Sequence, residues 1–252
     1  MKTAAPEAIE SANGAELPRR LTVVERARRF AAHPLFHLLL LAALVLCCFA
    51  RTFNSYFLAD DIGQVKYVSQ IWSGRLDMLL ANFTGNYMQI AGMSVFRPTL
   101  LLTLLFDYGL WRANAVGYYA TNLLYFFGNC ALLYLVLSRF ASEREPLRAR
   151  VAAFLGAALF AASPLHCESV SWVVGRVDSA CCFYYLASLF CFLKSRGSNL
   201  VGWRVAGVIS FWLALPATEM APGLPVVLFG GGFLNVDGSS PAATRSIARL
   251  RQ

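Results

Sequence analysis

Two adjacent carboxylates, Asp60-Asp61, stand just beyond an apolar run that ends at Ala50. A carboxylate near water is a proton acceptor. The loop that carries this pair, residues 51–97, is therefore a candidate wall of an active site at a membrane surface. Adjacent residues point in different directions in a helix or a strand, so at most one of the two meets a substrate. The plainer reading is that the pair caps a juxtamembrane helix. A second block, Pro164 to Asp178, gathers His166, Glu168, Arg176 and Asp178, and Glu219 sits in a later turn. Arg176 and Asp178, two apart before an apolar helix, read most simply as a surface ion pair worth under about 1 kcal/mol. His166 and Glu168 could share a metal only in an extended segment or a turn. Metal sites want three or four converging ligands, and apart from Cys167, which lies between these two, no His or Cys stands nearby. No metal site is named, and a divalent cation is left open.

Little else in the chain is polar enough to compete. Of 252 residues, 58% are apolar and 14% charged, against about a quarter charged in an average soluble domain. The apolar residues come in blocks: 34–50, 98–111, 116–138, 151–165, 179–193, 201–217 and 220–234. That is the pattern of an all-α polytopic membrane protein. The run 98–111 is short against the twenty or so residues needed to span, and it contains Asp107. If it dips in without crossing, 16 Lys and Arg fall on the cytoplasmic side and 6 outside; if it crosses, the split is 8 against 14. Positive charge concentrates on the cytoplasmic side of membrane proteins, so the first arrangement is preferred. The expected architecture is about six spans, a half-buried helix at 98–111 and juxtamembrane helices within 51–97.

Residues 1–33 form a cytoplasmic basic segment, with 17–30 able to make an amphipathic helix on the membrane surface. Residues 34–234 form the membrane module, and 235–252 a cytoplasmic basic tail. The outer face then receives loop 51–97, the turn 111–114, the loop 164–178 and Glu219. Nearly every acid at membrane level collects on one face, where a shared aqueous cavity reduces the cost of burying charge.

Several functions are excluded. The net charge of +8 has no soluble basic domain to carry nucleic-acid binding, and membrane orientation accounts for it. Seven Cys without a C-x-x-C suggest neither a zinc site nor a disulfide framework. No Gly-x-Ser-x-Gly elbow supports a hydrolase, and Gly230-Gly231-Gly232 lacks the Lys of a phosphate loop. Asn122 and Asn129 inside a span hint at a transporter, against which the one-sided charge clustering speaks. Asn82-Phe83-Thr84 matches the glycosylation sequon.

An ordered set of motifs runs through the chain: Phe57-Leu58-Ala59-Asp60-Asp61, Phe96-Arg97-Pro98, Asp107-Tyr108-Gly109-Leu110-Trp111 and Tyr118-Tyr119-Ala120-Thr121-Asn122. Ser163-Pro164-Leu165-His166-Cys167-Glu168, Gly175-Arg176-Val177-Asp178 and Ala217-Thr218-Glu219-Met220 follow. The set, over about residues 35–234, resembles the membrane module of the O-mannosyltransferases that carry tetratricopeptide repeats, and of their bacterial relatives. These are integral-membrane glycosyltransferases of the GT-C fold. Such enzymes carry a Lys before the late Glu, where this chain has Thr218. They also continue into further spans and repeats, so the carboxyl-terminal part is expected to be absent here.

The resemblance implies a polyprenyl-phosphate sugar as donor, a protein or glycan hydroxyl as acceptor, and an active site on the non-cytoplasmic face. It implies a catalytic base from Asp60 and Asp61, and a contact between Arg97 and the lipid phosphate. It matches His166, Glu168, Arg176 and Asp178 to the second-loop motif without assigning their roles. Physical chemistry agrees: an inverting transfer through an oxocarbenium-like state needs a base on the acceptor side, and a departing phosphate needs fixed positive charge. Asp60 is slightly favoured as base. The membrane would be the inner membrane of a bacterium or the endoplasmic reticulum of a eukaryote. The alternative is a non-catalytic scaffold or partner subunit that keeps the module's fold.

Overall fold

The computed structural model describes residues 22, 33–85, 87–89, 96–140, 146–196, 200–218 and 223. Among these every regular element is helical. Pro34–Phe49 is α1, extended by a 3-10 turn to Asn54. Asp60–Trp72 (α2) and Leu76–Thr84 (α3) are short helices within the first loop. Pro98–Trp111 is α4, Ala115–Arg139 is α5 and Pro146–Ala162 is α6. Cys167–Ser171 is α7, Arg176–Arg196 is α8 and Val201–Ala214 is α9.

The starts of these helices are written locally. Pro34 and Pro98 occupy first-turn positions, where a missing N–H costs nothing and φ is already set. The Asn114 side chain accepts the Val116 N–H at 3.2 Å, satisfying one of the donors a helix start leaves free. Pro34–Asn54, Ala115–Arg139 and Arg176–Arg196 are long and apolar enough to cross a bilayer. Leu147–Ala162 and Pro164–Ser171, bent by 52°, make a fourth if they are one span. Val201–Ala214 is a shorter apolar helix, about 21 Å long. The chain is thus an all-α, multi-pass membrane bundle. The described residues hold three or four candidate spans where about six were expected, and the run 220–234, apart from Gly223, lies outside them.

Side-chain pairs set the helix directions. His37 meets Tyr134, and Phe49 meets Phe126, so α1 and α5 are antiparallel. Ala153 clusters with Tyr134, and Ala161 with Phe126, so α6 runs back beside α1. Cys181 approaches Ala214, and Ser188 bonds to Gly207, making α8 and α9 antiparallel. One end of the bundle therefore gathers the first loop, the start of α5, the segment 163–175 and the end of α9. Arg139, Arg148, Arg150, Lys194 and Arg196 mark the opposite end.

Helix α4 does not traverse this bundle. The Thr99 hydroxyl donates to the Leu213 carbonyl near the end of α9. Asp107 meets Arg176 at the start of α8, and the turn after Trp111 feeds the start of α5. Both ends of α4 thus stay at the loop end, as its length and its lone Asp predict. Leu100, Leu101 and Leu104 pack with Val68, Ile71 and Tyr118, while Leu102, Phe106 and Leu110 are exposed.

Candidate active site

The acidic pair divides. Asp61 is fully buried and Asp60 is exposed. Asp61 Oδ2 accepts the Leu58 N–H at 3.0 Å, while the Asp61 N–H donates back to the Leu58 carbonyl at 2.8 Å. This reciprocal arrangement is helped by Ala59, whose φ of +41° turns the chain back on itself at some cost in strain. Asp61 Oδ1 accepts the Val174 N–H at 3.2 Å, which joins the first loop to the second. Burial pushes the Asp61 carboxyl above the ordinary carboxylate range; the backbone N–H groups of Leu58 and Val174 oppose that shift. With both oxygens engaged, Asp61 is a strut, and Asp60 is left open to solvent at the first turn of α2.

Asp60, Gln64 and Tyr67 lie on one side of α2, at i, i+4 and i+7. That side faces α3 and Tyr87. The buried Tyr87 hydroxyl donates to Gln64 Oε1, and Tyr67 donates to the Met78 carbonyl. Arg97, half-buried at the start of α4, acts electrostatically on the Tyr87 hydroxyl. Tyr87 is thus bonded to the helix that presents Asp60 and feels the positive charge of Arg97. Sequence reasoning missed Gln64 and Tyr87, because a polar residue in a loop reads as ordinary surface. Their signal was faint: Gln64 sits in register with Val68 and Ile71 on the apolar face of α2.

The second-loop residues separate by role. Arg176 is completely buried. Its guanidinium pairs with Asp107, donates to the Tyr118 carbonyl at 3.1 Å and lies over the Tyr118 ring. Its Nε donates to the Val173 carbonyl at 3.2 Å, and Asp107 Oδ1 accepts the Thr121 hydroxyl at 2.7 Å. The expected surface pair of Arg176 with Asp178 is therefore corrected. Arg176 turns inward to Asp107, 69 residues earlier, because a lone acid on an apolar helix needs a buried partner. Asp178 and Glu168 are exposed, and His166 rests against the Phe126 and Phe160 rings. Among the described residues, no hydrogen bond or ion pair links His166, Glu168 or Asp178 to Asp60, Asp61 or Arg97. None of the described His, Cys, Asp and Glu converge in threes on a metal. Glu219, the segment 17–30 apart from Thr22, and the tail 235–252 lie outside the described residues.

Asn122 and Asn129 serve as pins. The Asn122 amide donates to the carbonyls of Val170 and Trp172 at 3.1 and 2.9 Å, and Asn129 donates to the Ser179 carbonyl at 2.9 Å. Asn82 of the sequon is also structural: it is buried, donating to Tyr67 and the Met78 carbonyl and accepting the Met88 N–H. A glycan has no access to it.

Gly175 lets the second loop close. A Cβ there would lie 2.5 Å from the Glu168 carbonyl oxygen and 3.1 Å from its carbon, both backbone atoms that cannot swing aside. Gly175→Ala is expected to destabilise the fold by about 1–3 kcal/mol through overpacking. It should do so with little loss for Gly63→Ala, whose Cβ would meet nothing within 4 Å. Thermal melting of the detergent-purified variants compares the two.

The comparisons with known proteins point the same way as the motifs. The chain is 29% identical over 194 residues to Protein O-mannosyl-transferase TMTC4 of Homo sapiens, covering 72% of this chain and 26% of that protein. It is 28% identical over 181 residues to Protein O-mannosyl-transferase TMTC1 of Homo sapiens, covering 70% and 20%. A 73-residue stretch is 47% identical to Protein O-mannosyl-transferase Tmtc2 of Drosophila melanogaster, covering 29% and 7%. The chain spans about a quarter or less of the length of these relatives. No family model and no solved structure matches. Over most of its length, this multi-pass helical chain resembles the membrane module of the protein O-mannosyl-transferases.

Proposed function

We propose that the chain is a membrane glycosyltransferase-like protein. It moves a sugar from a polyprenyl phosphate to a protein or glycan hydroxyl on the non-cytoplasmic face. The observation that carries this reading is the division of the acidic pair. Asp61 fixes the first loop against the second, leaving Asp60 free on the side of α2 that carries Gln64, the partner of Tyr87. In this reading Asp60 takes the proton of the acceptor hydroxyl as the hydroxyl oxygen attacks the anomeric carbon. Arg97 holds the phosphate that leaves on the lipid, by charge and by its planar fork of donors. The buried Asp107–Arg176 pair holds α4, and with it Arg97, against α8. His166, Glu168, Asp178 and Glu219 are assigned to the same face through the motif alone, without individual roles. The relatives' printed names suggest mannose as the first sugar to try.

The test is transfer of radiolabelled mannose from polyprenyl phosphate in membranes containing the full chain. Asp60→Asn is expected to lower the rate about a hundredfold, the usual scale for a lost general base. Arg97→Ala should lower it with a raised KM for the donor, and Arg97→Lys should restore part of it. Transfer that persists unchanged in Asp60→Asn would falsify the assignment of the base. A well-folded wild-type chain that transfers nothing from any lipid-linked sugar would favour the scaffold reading.

A further inference from the structure

On the opposite edge of α2 from Asp60, a cleft of ≈ 740 Å³ opens between the end of α1 and the start of α5. A smaller lobe of ≈ 350 Å³ adjoins it, the two sharing Phe57, Ile62 and Ala113 as a common wall. Ile62, Lys66 and Ser69 line it from α2, at i, i+4 and i+7, whereas Asp60, Gln64 and Tyr67 face the other way. The cleft is therefore separate from the candidate catalytic side.

Its chemistry is one-sided. Asn54, Ser55 and Asn114 offer amide and hydroxyl groups in the larger lobe, and Lys66 an ammonium in the smaller, where the Ser69 hydroxyl donates to the Lys66 carbonyl at 2.7 Å. No lining residue is acidic. Arg112 immediately precedes the shared Ala113, and its guanidinium is held over the Trp72 and Tyr108 rings at 5.4 and 5.5 Å. Tyr108 itself lines the smaller lobe. Among the described residues Lys66 makes no ion pair. One cation in the lining, a second beside it at Arg112, the amides of Asn54 and Asn114 and no carboxylate suit a phosphate.

The surroundings say what carries that phosphate. The cleft sits where α1 ends and α5 begins, at the level of exposed Tyr56 and Trp111, and such residues favour the headgroup layer. From its rim, exposed apolar side chains continue along the two adjoining helices: Val116 and Leu124 on α5, and Leu110, Phe106 and Leu102 on α4. We infer that this cleft binds the headgroup of an anionic phospholipid, its phosphate set between Lys66 and Arg112 and its acyl chains lying along α4 and α5.

The test reconstitutes the full chain in phosphatidylcholine vesicles with a minor share of phosphatidylglycerol. Lipid retained after detergent release is then counted by native mass spectrometry. Wild type is expected to retain phosphatidylglycerol in preference to phosphatidylcholine. Lys66→Ala should reduce that retention roughly five-fold, the scale for one basic residue at an anionic surface, and Lys66→Arg should restore it. Lys194→Ala, which removes a cation at the opposite end of the bundle, should leave retention unchanged. Equal loss in Lys66→Ala and Lys194→Ala would overturn the inference, as would equal retention of the two lipids. So would complete displacement by inorganic phosphate, which would mark a simple anion pocket. Lys66 is exposed, so Lys66→Ala should melt like wild type; Arg112→Ala, which also unstacks Trp72 and Tyr108, is the weaker variant.

Discussion

Arg176→Ala should remove most folded protein, lowering stability by about 3–5 kcal/mol, because it strands Asp107 where neither water nor another cation reaches it. Both side chains are fully buried, so the loss is the desolvation of an orphaned charge as well as of one contact. It also releases the Tyr118 and Val173 carbonyls that the guanidinium satisfies. Asp107→Asn should cost a comparable amount, since an amide oxygen can accept from Thr121 or from Arg176 but not from both, and the buried guanidinium loses its counter-charge. The double variant Asp107→Leu/Arg176→Met should recover much of the loss, because a buried pair can be exchanged for apolar side chains of similar volume. Size-exclusion profiles and melting in detergent compare the three. If Arg176→Ala folds as well as wild type, the pair does not hold the second loop.

Asp61→Asn should be the next most damaging change, although it keeps shape and alters one atom. Both carboxylate oxygens accept backbone N–H groups, and an amide can accept at only one of them. The other is left facing N–H against N–H. Hydrogen bonds to charged groups are worth about 1.5–3 kcal/mol, so a loss of that order is expected. Asp60→Asn, at an exposed site, should leave melting unchanged. The pH dependence has a definite sign. Because burial raises the Asp61 pKa, the folded chain binds that proton more tightly than the unfolded chain, whose Asp titrates near about 3.9. The associated stability is fully present below the unfolded value and is lost as pH rises through the folded value. The advantage of wild type over Asp61→Asn in Tm should therefore grow on acidification from neutral pH. An advantage that shrinks instead would mean the backbone donors outweigh burial.

The gross architecture was legible because bilayer burial is a coarse constraint. Long uncharged runs must be helices, and a short run carrying Asp107 stood apart from them. The pair Asp60-Asp61 stood out because charge is scarce, and adjacency alone implied different directions for the two. Which one faces inward depended on the Ala59 turn and on Val174, 113 residues away, and no local pattern encodes that. Arg176 misled for a related reason. Asp178 was the nearest acid in sequence, yet the deciding quantity was burial, and the uncompensated acid at Asp107 was the better clue. Gln64 and Tyr87 were invisible because each satisfies the other in three dimensions and looks unremarkable alone.

The two clamps at the loop end share an unusual dependence on time. Asp61 waits for Val174 and Asp107 waits for Arg176, so both partners arrive on one short stretch, 173–176. While the chain is being made, α2 and α4 are complete long before anything can fasten them. A nascent chain halted ahead of residue 173 would hold an acid at position 107 with no cation to meet it, and a first loop with nothing to close against. Contacts of such long sequence separation form late and slowly. The loop end should therefore gain protease resistance in one step as that stretch emerges, rather than helix by helix.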